Sequence, residues 1–573
     1  MHFFERMVDG RRYRIAGQSV WDSQNGRSVA RQAVLGPAEP PPAVDLGATR
    51  AVGSRAVGDV GALVWVAEQL DLVRRIDVAC GTGGSKTGAS LGEMVLAVAV
   101  QRACAPGPKR DLAGFLEDSV PRISCLPARA FSGQRYHRLA QRASEEALEQ
   151  AQLAIAEAAV QRFDLATDVL AFDTTNFDTH IDTLTPGELA RRGHAKSKRR
   201  DLRVVGLGVL VSETGHVPLL HRTYPGNESD QAVLSGCLEG LASLHDALNA
   251  SGVRRRRGQR TVVRDGGFWS EQLELDLDDA GYGSLISLPL GHSAAETALD
   301  YAARRGAMKS LGGKLQDVRA ARLRTNVGEL DRTLVVVDSQ ELLEGQKRGI
   351  AVALRKAKKE LKKLQRLTKA GRIRKSALEL RVQTPLAREH LSTFVVVAVS
   401  GDEATPTLRW WVDSVRRRRL ERTRLGRRVL CTDRHQWSNV RIVRAFRGQW
   451  KVEELFRRAK KGGLVPWGPS YQWADTSLRV HTFATALGLM LVSLAHLALG
   501  TAASVKAMME SLGGIRATLL RTKTGARGRR PTLMVVPELT PDQQKAVKVF
   551  ELERWLPQLS SCMDRARLEL TGV

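Results

Sequence analysis

The chain has 573 residues, 43% of them hydrophobic and 26% charged. That is enough apolar content for folded cores and too much length for one; at roughly 150 residues per domain, three or four units are expected. Lysine and arginine number 88 against 61 aspartates and glutamates, a net charge of +27, which is the footprint of a polyanion binder: nucleic acid first, an acidic membrane surface second. An arginine-rich composition without such a partner is the bland alternative. Cys80, Cys104, Cys125, Cys237, Cys431 and Cys562 form no C-x-x-C pair, so neither a zinc knuckle nor a disulfide framework is indicated and reduced thiols are expected.

The opening stretch MHFFERMVDGRRYR lacks the apolar run of a signal peptide. Residues 11–35 read as two strands, RRYRIAGQSV and GRSVARQAVL, around the turn Gln24-Asn25-Gly26. With the Pro-rich linker GPAEPPPAV they make a first segment, 1–58. Residues 59–164 are expected to be helical, with apolar residues at helix spacing in LGEMVLAVAVQRA and ASEEALEQAQLAIAEAAVQRF. CGTGGSKTGAS before the first of these fails the phosphate-loop pattern, because Lys86 follows Ser85 rather than a glycine; it reads as a flexible loop.

From residue 165 the texture changes. DVLAFDTTNF reads as an apolar strand ending in polar residues, followed by a hairpin (201–213 and 216–226) around Thr214-Gly215. A helix at 230–250 and the strands TVVRDGG and GSLISLPL come next. This order predicts an α/β class with a mixed sheet covered by helices, over 165–290. Residues 291–430 read as an insertion holding the strands RTLVVVD and STFVVVAV and a very basic helix at 354–375, which is either a solvated charged face or a DNA-facing arm. The segment 431–510 turns helical, and its uncharged run from Thr482 to Val505 is expected to be a buried core helix rather than a membrane span. A basic tail, 511–573, closes the chain.

Three acids stand out. Asp173 and Asp265 sit at the ends of apolar strands, in AFDTT and VVRDGG, and Glu453 sits in the late helix WKVEELF. If the first and fourth strands of the sheet are neighbours, the two aspartates face each other, and a helix across that edge brings Glu453 near. Two Mg²⁺ ions shared by such carboxylates, roughly 3.5–4 Å apart, activate a nucleophile and stabilise a leaving oxygen at a phosphodiester. At about 100° per residue, Phe446, Gln449, Glu453, Arg457 and Lys460 share a helical stripe roughly 80° wide. Gln449, Arg457 and Lys460 are therefore candidate DNA contacts. Arg458 and Lys461 point about 100° further round. Gly448 weakens the start of this helix by about 1 kcal/mol, which leaves open a helix that begins only after it. Trp410, Trp411 and Trp437 could stack on a base, although core packing is the commoner use of such residues.

At these residues the sequence resembles a known family. FRGQWKVEELFRRAKK is similar to the Y-x2-R-x3-E-x6-K helix of the IS4-type DDE transposases, with Glu453 and Lys460 matching and Phe446 and Gln449 in place of Tyr and Arg. DTTNFD, the hairpin ending in PGN-x-x-D, and VVRDGG resemble the rest of the set, and RRVLCTDRHQW and VPWGPSYQW look most like its IS1634 branch. The resemblance covers about residues 165–500. It implies a ribonuclease-H-like mixed-sheet core with a β-rich and helical insertion, and a mainly helical, DNA-binding N-terminal region. It implies Asp173, Asp265 and Glu453 as catalytic metal ligands for Mg²⁺, with Mn²⁺ as a substitute. It also implies double-stranded DNA as partner (terminal inverted repeats and target), a homodimeric synaptic complex, no membrane, and a cytoplasmic place at the bacterial nucleoid. A catalytically silent DNA-binding derivative and a nuclease that cuts without joining are the alternatives.

Overall fold

The computed structural model describes residues 1–8, 10–22, 25–38, 49–250, 260–304, 306–388, 390–522 and 532–556. Most of the Pro-rich linker, most of the basic run at 521–531 and Cys562 lie outside the described residues. The chain divides into two units, Met1–Arg260 with Gly448–Val573, and Thr261–Arg447.

In the first unit, β2 (Arg11–Asp22) and β3 (Arg27–Pro37) form the expected hairpin, with Gly26 at φ +59 in its turn, a backbone setting that favours glycine. A third strand, β1 (His2–Val8), adds to its edge. The strand β4 (Thr49–Ala56) leads into α1 (Gly58–Gln69), α2 (Leu72–Ala79) and α3 (Leu91–Cys104). Ser90 and Glu93 cap α3 reciprocally, satisfying backbone donors that a helix start leaves open. The loop before α3 is pinned, contrary to the expected flexibility. The buried Arg31 donates to the Ser85 and Gly88 carbonyls, both at 2.9 Å, and to Glu93 at 2.6 Å. The helices α4 (Leu112–Glu117), α5 (Gly133–Ala140) and α6 (Glu145–Phe163) complete the helical region.

A three-stranded antiparallel meander follows: β5 (Val169–Thr179), β6 (Arg203–Ser212) and β7 (Pro218–Pro225), then α7 (Asp230–Ala250). Gly226 in the PGN-x-x-D motif sits where the chain at 191 and 204 crosses it; a Cβ there would stand 2.1 Å from the Val204 carbonyl oxygen. No other residue fits so close an approach.

The second unit is built on a six-stranded mixed sheet. It contains β8 (Thr261–Arg264), α8 (Glu271–Asp279), β9 (Gly283–Leu288), α9 (Ser293–Ala302), β10 (Lys309–Ser310), β11 (Val318–Val327) and β12 (Leu330–Ser339). Next come α10 (Gln340–Lys369), α11 (Lys375–Leu386), α12 (Leu391–Phe394), β13 (Val395–Gly401), β14 (Pro406–Val412), α13 (Ser414–Thr423), β15 (Arg427–Thr432) and α14 (Asn439–Arg447). The order within the unit is β10-β11-β12-β15-β9-β8, with β8 and β9 parallel and the remaining pairs antiparallel. All of β8 is buried, as expected for a strand without alternation.

The insertion read at 291–430 divides in two. The strands β11, β12 and β15 hydrogen-bond into the sheet beside β9. The stretch from α10 to α13 instead closes a core of its own, in which Ile350, Leu361, Leu378, Phe394 and Leu420 are buried.

The chain then returns to the first unit with α15 (Trp450–Ala459), α16 (Asp475–Leu499), α17 (Val505–Gly513), β16 (Arg516–Thr522), β17 (Thr532–Val535) and α18 (Pro541–Val549). The apolar helix α16 is the core helix expected, packed against α3, α1, α6 and β7. β16 pairs with β4. The N-terminal helical region therefore shares its core with residues beyond 475, and its limit at 164 is not the edge of a separate body.

Candidate active site

Asp173 lies opposite Val209 of β6, well inside β5 rather than at its end. The strand continues because TTNFDT is itself branched, aromatic and alternately buried. Successive side chains point to opposite faces. On one face Asn176 donates to the His194 carbonyl at 2.8 Å and accepts from the Lys196 backbone at 2.9 Å, while Ser197 donates to Asp178 at 2.7 Å. Lys196 Nζ donates to the Thr174 carbonyl. On the other face stand Asp173, Thr175 and Phe177. The half-buried Asp173 carboxylate accepts the Thr174 backbone N–H at 2.7 Å.

Phe177 stacks on the buried Trp467, centroids 4.9 Å apart and planes 7° off parallel. This joins the DTTNFD and VPWGPSYQW motifs. Trp467 is held twice more: its indole N–H donates to Thr482 at 3.0 Å, and its carbonyl accepts from His481 Nε2 at 2.8 Å. His481 Nδ1 lies 3.0 Å from Lys109 Nζ, in a pocket that burial makes costly for charge and that brings the Lys109 ammonium down to about 7.

Glu453 stands in the first turn of α15, with Val452, Leu455, Phe456 and Ala459 buried beneath it. That apolar face packs α15 against β5 and α16. Glu453 is exposed, and among the described residues it has no ion-pair or hydrogen-bond partner. Its neighbour Glu454 differs: it pairs with Arg457 and, at 3.4 Å, with Arg458.

The stripe expected from a single helix over 446–460 does not form. α14 ends at Arg447 and α15 begins at Trp450, so the chain breaks at Gly448. Gln449 is buried at the cap of α15, Phe446 is buried in α14 of the other unit, and Lys460 follows the helix in extended backbone. The rotation that would separate Lys460 from Lys461 therefore has no basis. After Lys460 the chain folds back along α15. Val465 N–H donates to the Arg458 carbonyl at 2.9 Å and Trp467 N–H to the Ala459 carbonyl at 2.8 Å.

Asp265 belongs to the second unit, directly after β8, exposed at the start of a short 3-10 turn. Its strand end is fixed from below. Arg264, fully buried, pairs with Glu274 of α8 and donates to Ser284 at 3.2 Å; Arg332 lies 3.5 Å from the same Glu274. Burial pushes the Arg264 guanidinium down to about 9. Gly266 follows because a Cβ there would meet the Ser287 carbonyl at 2.6 Å. Thr432-Asp433-Arg434 of RRVLCTDRHQW stitches β15 to its neighbours: Thr432 donates to the Ser284 carbonyl at 2.6 Å, Asp433 accepts from the Ser284 N–H at 2.9 Å, and Arg434 donates to Thr261 at 2.8 Å.

No family model and no curated protein matches the chain. Among solved structures, one that matches is a cryo-EM structure of a piggyBac transposase synaptic complex with hairpin DNA. It is 10% identical, with a TM-score of 0.36, and the match covers 79% of this chain and 78% of that one. A likeness at that level carries no argument about the site.

The donor chemistry suits a hard cation, since Mg²⁺ takes oxygen ligands and keeps water, and the Glu453 and Asp265 carboxylates are exposed. Among the described residues, however, no group of three or more His, Cys, Asp or Glu is gathered closely enough to hold a metal ion.

Of the tryptophans singled out in the sequence, Trp410 is half-buried against the α10–α13 core, Trp437 is covered by the Arg441 guanidinium at 4.1 Å, and Trp411 is exposed. The one beside the candidate site was missed. Trp450 is 57% exposed and stands three residues before Glu453, on the same side of α15. The signal available in the sequence was a tryptophan three residues before the motif glutamate, in WKVE.

Proposed function

We propose that the chain is a DNA transposase of the DDE type, IS4-like and nearest the IS1634 branch, with a ribonuclease-H-like core. It acts in the cytoplasm at the nucleoid, as a homodimer, on the inverted-repeat ends of its own element and on target DNA. Asp173, Asp265 and Glu453 would hold Mg²⁺, or Mn²⁺ in its place, which supplies Lewis-acid activation at the phosphodiester. The observation that carries the reading is Glu453: an unpaired, exposed acid in a chain of net charge +27, on a helix whose other face rests on the strand of Asp173. Four motifs in family order support it. Arg457 and Lys460 are the cations near Glu453 in sequence that would meet phosphates, with lysine as a point charge and arginine as a fork. Arg457 must first leave Glu454. Gln449, being buried, takes no part.

A second reading, a catalytically silent DNA-binding derivative, is favoured by the lack of a three-acid cluster among the described residues. A strand-transfer assay with Mg²⁺, on DNA carrying the element's ends, decides. Cutting and joining support a transposase. Cutting alone supports a nuclease, and binding alone supports the silent derivative.

A further inference from the structure

The cations of the second unit are not all alike. On α13, SVRRRRLERT, two of the five arginines have local acids: Arg416 lies 3.3 Å from Asp413 and Arg417 lies 2.9 Å from Glu421. On α10 lysine and arginine number ten against three glutamates. There, a groove of about 720 Å³ runs between α10 and α11. Lys356, Lys359 and Lys363 line one wall, Arg381 and Arg388 the other, and Glu360 is the one acid among the lining residues. All five cations are exposed, and none of their side chains has an ion pair or hydrogen bond with a described residue.

From this we infer that the α10–α11 groove seats the phosphate backbone of double-stranded DNA, an inference that rests on the DNA-acting function proposed above. Lys356, Lys359 and Lys363 recur at helical spacing and so form one row along α10. The apolar side of the helix is used up in its own core, where Leu354, Leu361 and Leu364 are buried. That docking fixes the row in place. The aliphatic floor, Leu364 and Leu367, gives the groove depth. Five like charges around one concavity repel each other unless an anion enters. A convex, regularly charged phosphate ridge matches that shape, whereas a flat anionic membrane cannot enter between two helices. Each phosphate neutralised releases condensed counterions, so binding through the groove is steeply salt-dependent.

The test uses the full chain and a short labelled duplex of arbitrary sequence, titrated at several salt concentrations. One variant removes the row, Lys356→Gln, Lys359→Gln and Lys363→Gln together. A second removes the same charge from the same helix outside the groove, Arg355→Gln, Lys358→Gln and Lys362→Gln. The groove variant should bind about tenfold or more weakly and flatten the log–log salt slope by about two to three, near 0.9 for each phosphate no longer neutralised. The control should bind less than about threefold more weakly. Arg381→Gln with Arg388→Gln, on the other wall, should repeat the groove result and keeps the test decisive if the first variant melts early. Equal losses in groove and control variants would overturn the inference, as would no loss in either. It would also fail if anionic vesicles or polyglutamate, rather than duplex, lost binding selectively in the groove variants. No cleavage is measured, so failure of the groove and failure of the transposase reading are separable.

Discussion

Two amphipathic helices, α15 and α10, are built by the same rule and carry opposite chemistry. Each buries an apolar stripe: Val452, Leu455, Phe456 and Ala459 on α15, and Ile350, Leu354, Leu361 and Leu364 among others on α10. Each presents its other side to water. On α15 that side carries an unpaired glutamate three residues after an exposed tryptophan; on α10 it carries a row of lysines. The docking stripe says only that a helix is held. In a chain this basic, cations are common, so a lysine informs only where it gathers unpaired with others. An unpaired acid informs by its place, and Glu453 stands on a helix that rests on the strand of Asp173.

The largest difference is expected between two adjacent acids, Glu453 and Glu454. Glu453→Gln should lower DNA cleavage by about a thousandfold, several kcal/mol of transition-state stabilisation, as should Asp173→Asn. Glu454→Gln should leave cleavage within a few-fold and cost about 1 kcal/mol or less of stability, because it removes only a partly exposed pairing with Arg457 and Arg458. Cleavage of end-bearing DNA and urea unfolding measure both. Equal losses would show that the pairing, not the free carboxylate, matters.

A pair of tryptophans sharpens the same contrast. Trp467→Ala should destabilise the fold by about 3–5 kcal/mol in denaturant unfolding, the usual cost of emptying a buried aromatic site. Trp450→Ala should change stability by about 0.5 kcal/mol or less. It should nonetheless lower cleavage about tenfold if its ring stacks on a base, an interaction worth about 1–3 kcal/mol. Unchanged cleavage in that variant would leave Trp450 without a role at the site.

Smaller effects are expected past the end of α15. Lys460→Ala and Lys461→Ala should each weaken DNA binding about threefold and alike, because each takes one point charge from the exposed end of α15, where the proposed function puts phosphate. A much larger loss for Lys460 alone would restore the one-stripe arrangement that the break at Gly448 removes.

The smallest effect is a pH slope. Burial brings Lys109 from an ordinary 10.5 to about 7, with Arg102 adding to the shift and with His481 and the Tyr136 ring also facing it. Between those values the unfolded chain holds more protons, so this group's contribution to stability rises with pH and its penalty is full below about 7. Lys109→Met should therefore gain most over the parent near pH 7 and lose that advantage towards 10.5 in thermal melts. A gain independent of pH would place the shift elsewhere.

Elements with strong local signals were legible in the sequence. The Asn25-Gly26 hairpin, α3, α6, the meander after residue 168 and the buried α16 all carry periodicity or turn chemistry of their own. What escaped depends on distant partners. β4 and β16 find each other across more than 400 residues; the segment TRAVGSRA has no apolar alternation to announce a strand. β11, VRAARLRTNV, mixes arginines irregularly among its apolar residues and is a strand because β12 is beside it. The candidate acids Asp173 and Glu453 stand in motifs, whereas the long-range supports do not: Arg31 on the 80–90 loop, Trp467 on Phe177, and Arg264 on Glu274 are pairings that no local pattern encodes. Apolar spacing continues across Gly448 and suggests one long glutamate helix, whereas the helix stops at Arg447 and restarts at Trp450, the later start that Gly448 itself allows.

Asp265 bears the most weight, since it alone of the three acids belongs to the second unit. The decisive measurement is Mn²⁺ binding to the protein–DNA complex, followed by electron paramagnetic resonance alongside cleavage, for the parent chain and Asp265→Asn. The variant should bind the DNA ends as the parent does, lose bound Mn²⁺, and not cut. Bound Mn²⁺ and cleavage both undiminished in Asp265→Asn would contradict it.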